Sequence, residues 1–166
     1  MNHYPLVHSS WNRQEIESLQ KVIRSGAFTM GSNVELFEKK FSGYLNKKFA
    51  VMVNSGSSAN LLSISSLFYK KKNSLKVGDE AIVSSVGWST TYSPLQQLGL
   101  KLKLVDINLN DFNIDFKQLE KAITKKTKLV IVVNLLGIPA ELEKIQKLCK
   151  KKNIYFLKIT VKAWVQ

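Results

Sequence analysis

Residues 49–68 read FAVMVNSGSSANLLSISSLF. An unbroken apolar run, Phe49 to Val53, passes through Asn54-Ser55-Gly56 into a helical pattern, Ser57 to Phe68. That order predicts a short buried strand joined by a serine-rich turn to a helix. The alternation repeats downstream. Ala81–Ser84 (after a Gly78-Asp79 turn), Leu102–Asp106 and Leu129–Val133 predict strands, and Ile154–Leu157 opens one more. Between them, helices are predicted over Ser89–Leu98, with Pro94 in its first turns, over Phe116–Ile123 and over Ala140–Lys151. Asp115 and Gln118 suit a capping box on the second, and Leu142, Ile145, Leu148 and Cys149 form the inward face of the third. Strands that are apolar throughout are buried on both faces. Separated by helices, they predict an α/β fold: three layers, α/β/α, around a mostly parallel sheet.

Two helices precede this pattern. Asn12 to Ser25 carries a cap and box partner (Asn12, Glu15), one apolar face (Ile16, Leu19, Ile23) and a Gly26 stop. A second starts at Ser32, with Ser32 and Glu35 as a box and Val34, Phe37, Phe41 and Leu45 in a stripe. The expected organisation is a helical segment, 1–48, a larger α/β domain, 49–157, and a short tail, 158–166.

The composition, 45% hydrophobic, excludes a disordered chain. No apolar run is long enough to span a bilayer. The leader has no basic stretch followed by an apolar one, so no signal peptide is expected. Cys149 is the only cysteine, which excludes a disulfide framework and points to a reducing cytoplasm. His3 and His8 have no ligand partner at suitable spacing, so no metal site is expected. The net charge is +13, with 25 Lys and Arg against 12 Asp and Glu. A basic nucleic-acid module is one reading. The scarcity of Arg (Arg13 and Arg24 alone) argues against it, because base and phosphate readers favour the guanidinium fork. Lys70–Lys72, Lys125–Lys126 and Lys150–Lys152 read instead as cations at helix ends. Neither nucleic acid nor membrane is expected as a partner.

Ligands of open α/β sheets bind beyond the carboxyl ends of the strands. Three turns there carry candidates. Gly56, Ser57 and Ser58 place backbone N–H groups and hydroxyls at a helix start, a plausible phosphate cradle, although an ordinary capped helix start fits equally. Ser84 to Thr91 presents Trp88, either as a flat face for a ring or as a core residue. Asn134 precedes Leu135-Leu136-Gly137-Ile138-Pro139, where a plain Gly-Pro turn is the simpler reading. Cys149 reads as a small core residue.

Taken together, Gly-Ser-Ser-Ala-Asn-Leu-Leu (56–62), Gly-Asp-Glu-Ala-Ile-Val (78–83), Trp-Ser-Thr-Thr (88–91), Val-Asp-Ile (105–107), Asn-Ile-Asp (113–115) and Val-Asn-Leu-Leu-Gly-Ile-Pro (133–139) resemble the N-terminal part of the DegT/DnrJ/EryC1/StrS sugar aminotransferase family. Tyr4-Pro5-Leu6, Phe28-Thr29-Met30-Gly31 and Tyr92-Ser93-Pro94-Leu95-Gln96-Gln97 look like its nucleotide-sugar 3-dehydratase branch. The resemblance implies the large domain of the fold-type-I transferases, of which aspartate aminotransferase is the namesake, and pyridoxal 5'-phosphate or pyridoxamine 5'-phosphate as cofactor. It implies a role in deoxysugar synthesis for lipopolysaccharide O-antigen, on a nucleotide-sugar substrate, in a homodimer. By the same resemblance Gly56, Ser57 and Ser58 hold the cofactor phosphate. Trp88 stacks on the ring, Asn134 lies close by, and Thr29, Met30 and Gly31 lie near the nucleotide sugar. A sugar aminotransferase with a Lys base, in place of the His of the dehydratases, is the neighbouring possibility. A non-catalytic scaffold is a third.

The chain departs from the family at its tail. Where the family continues Glu-Asp-Asn-Cys-Glu-Ser-x-Gly-Ala, residues 158–166 read KITVKAWVQ, and Ile159 stands where an Asp would pair with the pyridine nitrogen. No residue here is expected to serve as the proton-transferring base. One permitted encoding of this tail is AAG ATA ACT GTG AAA GCT TGG GTG CAA. With a G in front and the frame moved one base, the same string encodes Glu-Asp-Asn-Cys-Glu-Ser-Leu-Gly-Ala. The tail therefore reads as a frameshifted form of the family motif, and the chain as catalytically inactive.

Overall fold

The computed structural model describes residues 10–160; His3, His8, Tyr4-Pro5-Leu6 and residues 161–166 lie outside them. The chain forms two compact units, residues 1–52 and 53–166, each described by itself.

In the first unit, α1 (Arg13–Ser25) begins with the expected box. The Asn12 side chain accepts the Gln14 N–H at 2.7 Å, and Glu15 accepts the Asn12 N–H at 2.8 Å. Gly26 closes the helix in the left-handed region at φ 66°, a conformation that favours glycine. The apolar face of Ile16, Leu19 and Ile23 stays exposed. In α2 (Ser32–Tyr44) the expected box does not form. Gly31 occupies the cap position, Ser32 is already helical, and no side chain caps the end. Phe37 and Phe41, one turn apart, stack with ring centroids 5.2 Å apart.

The strand expected over Phe49–Val53 is absent. Phe49 is 75% and Val51 68% exposed. An extended segment becomes a strand only when a neighbour pairs with it, and among the described residues, 49–53 carry no ladder bonds. The Met52 N–H instead donates to the Glu38 carboxylate at 2.7 Å.

The second unit carries the α/β pattern. In chain order it contains α3 (Gly56–Phe68), β1 (Glu80–Ser84), α4 (Ser89–Gln97), β2 (Lys101–Val105), α5 (Phe116–Ala122), β3 (Thr127–Val133), a 3-10 turn (Leu135–Gly137), α6 (Leu142–Lys152) and β4 (Tyr155–Ile159). The four strands are parallel, in the order β2-β1-β3-β4.

Successive residues of a strand point to opposite faces, and the core divides accordingly. Ile82, Val130 and Val132 pack with Leu119 of α5 and with Ile145 and Cys149 of α6. Ala81, Val83, Leu129 and Ile131 pack with Ile64 of α3 and Leu95 of α4. Helices thus cover both faces, which is why the strands lack polar alternation. Asp115 caps α5 by accepting the Gln118 N–H at 2.9 Å, but only half the expected box exists, because the Asp115 N–H donates to the Asp106 carbonyl.

Cys149 is fully buried, and burial pushes its thiol up to about 11. The thiolate is the reactive form, so a raised value slows reaction throughout the neutral range. At pH 8 the native chain is expected to react with a disulfide reagent roughly 100-fold more slowly than the chain unfolded in guanidinium. Equal rates, followed by absorbance of the released thiol, would contradict this placement.

Candidate functional site

The site is built at the carboxyl ends of the strands, where α3 and α4 begin. Ser55 is extended and caps α3, its hydroxyl accepting the Ser58 N–H at 3.2 Å and lying 3.2 Å from the Ser58 hydroxyl. Among the described residues, the N–H groups of Gly56 and Ser57 have no acceptor. They are two of the donors that every helix start leaves open, at the positive end of the helix dipole. A Cβ built on Gly56 meets nothing within 4 Å, so the space over this turn is open. Of the three cradle residues expected, Gly56 and Ser57 offer free donors, and Ser58 is engaged by Ser55.

Helix α4 starts beside it. Trp88 takes its cap position without a side-chain bond, leaving the N–H groups of Ser89 and Thr90 open in the same way. The indole is 76% exposed, which rejects the core-residue reading. Pro94 sits inside α4 and has no N–H, so it cannot serve the carbonyl of Thr90 four residues earlier. The Asn60 side chain of α3 fills that vacancy, donating from Nδ2 to the Thr90 carbonyl at 3.1 Å. The two helix starts are therefore tied side by side. The Tyr92 hydroxyl donates to the Ser84 carbonyl at 3.0 Å at the end of β1, and burial raises its pKa. A Cβ on Gly87 would come within 2.6 Å of that hydroxyl, so any larger residue there would have to displace Tyr92 from the Ser84 carbonyl.

Around this pair lie further polar groups. The Ser85 hydroxyl donates to Asp106 at 3.1 Å, across the ends of β1 and β2. Asn134 is buried. Its side-chain oxygen accepts the Ala140 N–H at 3.3 Å, and its own N–H donates to the Ile159 carbonyl at 3.1 Å. It clasps the loop after β3. Leu136 and Gly137 in that loop are both left-handed, at φ 53° and 83°, so the turn reading holds there as well. Ile159 pairs with Val133 in register and packs on the α3/α4 face of the sheet. Thr29, Met30 and Gly31 lie in the first unit, exposed in the turn between α1 and α2. No group of three or more metal-ligating side chains occurs among the described residues.

The pattern of the DegT/DnrJ/EryC1/StrS aminotransferase family matches residues 10–163. The chain belongs to this family. GDP-4-keto-6-deoxy-D-mannose 3-dehydratase from Yersinia pseudotuberculosis is 48% identical over 157 residues, 95% of this chain and 40% of that protein. The protein of the same name from Escherichia coli O55:H7 matches with the same identity and coverage. The solved structure of the E. coli GDP-4-keto-6-deoxy-D-mannose-3-dehydratase with bound hydrated PLP superposes at a TM-score of 0.92 and 46% identity, covering 97% of this chain and 41% of that one. The chain spans about two-fifths of the length of these relatives.

Ser55, the Asn60–Thr90 bond and the Ser85–Asp106 bond escaped the sequence reading. Ser55 carried a usable signal, since Ser is a favoured cap just before a helix. Asn60→Ala removes the donor to Thr90 and is expected to destabilise the second unit by about 1–3 kcal/mol. Pro94→Ala returns an N–H to that carbonyl, so Asn60→Ala should cost less in its presence. A double-mutant cycle from urea unfolding is expected to give a coupling of about 0.5–2 kcal/mol; strict additivity would refute the pairing.

Proposed function

We propose that this chain is the N-terminal part of a pyridoxal- or pyridoxamine-phosphate-dependent nucleotide-sugar 3-dehydratase of deoxysugar synthesis, acting in the cytoplasm as a homodimer in its intact form. The observation that carries the reading is the tie between two helix starts, each with two open N–H groups, one of them headed by the exposed indole of Trp88. An aromatic heterocycle with a phosphate arm has the matching chemistry: a dianion for the N–H groups and a flat ring for Trp88. The match to family members whose names state 3-dehydratase activity supports the branch.

Gly56, Ser57 and Ser58 hold the phosphate, with Ser58 released from Ser55 or reaching it through its hydroxyl. Trp88 covers one ring face, Asn134 keeps the β3 loop in place beside the site, and Thr29, Met30 and Gly31 contribute on the nucleotide-sugar side. When bound, the cofactor supplies an electron sink, which requires a protonated ring nitrogen. The residues fit the phosphate and the ring face but not that nitrogen. Ile159 has no acceptor and no charge, and no residue of the chain is assigned the proton transfer. The 166 residues alone are therefore proposed to bind the cofactor weakly and to be inactive.

The tail is proposed to be the family motif read one base out of frame. The nucleotide sequence over codons 158–166 tests this directly: the string given above supports it, and any other set of codons overturns it.

Fluorescence titration with pyridoxal phosphate tests the site. Binding is expected to quench the emission of Trp88, and Trp88→Phe should remove that component. Ser57→Ala with Ser58→Ala should weaken binding by about 10-fold, in line with loss of a hydrogen bond to a charged group. Ile159→Asp should tighten it by about 10-fold or more. Unchanged affinity in all three variants would sink the assignment.

A further inference from the structure

The topology gathers lysines that lie far apart in sequence. All four strands run the same way, so each crossover helix returns its C-terminal end to the amino edge of the sheet. Lys70, Lys71 and Lys72 follow α3. They are fixed at the start of β4 by the Tyr155 hydroxyl, which donates to the Asn73 carbonyl at 2.9 Å, while the Lys70 ammonium lies 4.7 Å from the centre of the Tyr155 ring. Lys125 and Lys126 form the turn into β3, where the Lys126 carbonyl accepts the Glu80 N–H at 3.1 Å. Lys150, Lys151 and Lys152 end α6, and Asn153, left-handed at φ 56°, turns the chain into β4. Since α3 and α6 cover opposite faces of the sheet, the three clusters bracket its amino end.

All eight lysines are exposed, and none forms an ion pair among the described residues. The acids at this end, Asp79 and Glu80, face other partners: Asp79 accepts the Lys76 N–H at 2.8 Å, and Glu80 accepts the hydroxyls of Thr124 and Thr127 and lies 3.9 Å from the Lys103 ammonium. Reading all three clusters as complements to helix dipoles fails for two of them. Only Lys150–Lys152 lie in a last helical turn. Lys70–Lys72 lie past the Tyr69 cap of α3, and Lys125 and Lys126 lie past the Ile123 cap of α5. Tyr69 and Val77 project from the same end, 88% and 78% exposed.

We propose that the amino end of the sheet is a docking face for a bilayer surface rich in anionic headgroups. Lysines on flexible stems suit mobile, dispersed phosphates, whereas a nucleic acid rewards the planar arginine fork that is missing here. A single exposed tyrosine is no stacking platform for bases. Beside a valine and eight ammonium groups it suits the headgroup boundary. Made by ammonium groups on flexible stems, the contact is electrostatic, reversible and weakened by salt. It leaves the carboxyl end, with Trp88 and the open N–H groups, turned to solution. This departs from the expectation that no membrane takes part.

Sedimentation of the full 166-residue chain with vesicles tests the proposal. The chain is expected to sediment with an equal mixture of phosphatidylcholine and phosphatidylglycerol, not with phosphatidylcholine alone, and to be released as salt rises from about 0.1 M to about 0.5 M. K125Q with K126Q should lower the partition coefficient by about tenfold or more, at roughly fivefold per lysine. K144Q with K147Q, which alters lysines already paired with Glu141 and Glu143, should change it by less than about twofold. No binding to the mixed vesicles, equal binding to neutral ones, an equal loss in both variants, or tighter binding to duplex DNA at matched negative charge would each overturn it.

Discussion

Pro94 leaves the Thr90 carbonyl without its helical donor, and Asn60 supplies one from another helix. A proline inside a helix ordinarily costs about 3 kcal/mol, from the lost hydrogen bond and from ring crowding. Here the open acceptor becomes the point where α3 and α4 are joined. Ser57 lies three residues before Asn60 and Trp88 two before Thr90, so the bond fixes the serine cradle and the indole through less than one helical turn on either side. The link thereby holds the open N–H groups of the two helix starts on neighbouring helices. Without it, the two starts would be held only by apolar packing deeper in the layer, Ile64 of α3 and Leu95 of α4.

Much of the architecture was legible because its signals are local. Apolar runs marked β1 to β4, caps such as Asn12 and Asp115 marked helix starts, and the lack of polar alternation marked a sheet covered on both faces. What failed depended on partners. The run Phe49–Val53 has the composition of a strand, but a ladder requires a neighbour that composition cannot name. Ser32 and Glu35 have the spacing of a box, but the helix starts at Ser32 and moves the cap to Gly31. In the site, the serines were legible from the chemistry of a helix start. The Asn60–Thr90 bond spans 30 residues and answers a defect made by Pro94, so neither residue announces it alone. The exposure of Trp88 was equally hidden, since an indole fits a core as well as a rim.

Ile159 shows how one position can favour the fold and oppose the chemistry. Its backbone belongs to β4, and its carbonyl accepts from Asn134, so any residue could hold that part of the ladder. Its side chain joins the partly buried apolar groups on the α3/α4 face, where an isoleucine gains from burial and a lone carboxylate would be penalised for desolvation. A carboxylate becomes favourable there only opposite a cation, such as a protonated ring nitrogen. The isoleucine therefore fits the sheet without a ligand and leaves a ring nitrogen nothing to pair with.

The two ends of a parallel sheet are electrostatically unlike. Helix N-termini gather at the carboxyl end and offer N–H groups; helix C-termini gather at the amino end and offer carbonyls and partial negative charge. Cations at the amino end are stabilised by that field only within the last turn, where Lys150–Lys152 lie. The lysines of the turns beyond α3 and α5 gain little from it and repel one another across a shared surface. Folding thus gathers eight of the chain's 25 basic residues at one end of the sheet, and the nearest acids, Asp79 and Glu80, face backbone, Thr and Lys103 partners rather than these lysines. Such a concentration carries a self-repulsion that an opposing anionic surface relieves, and this is the physical basis for assigning the opposite ends of one sheet to different partners.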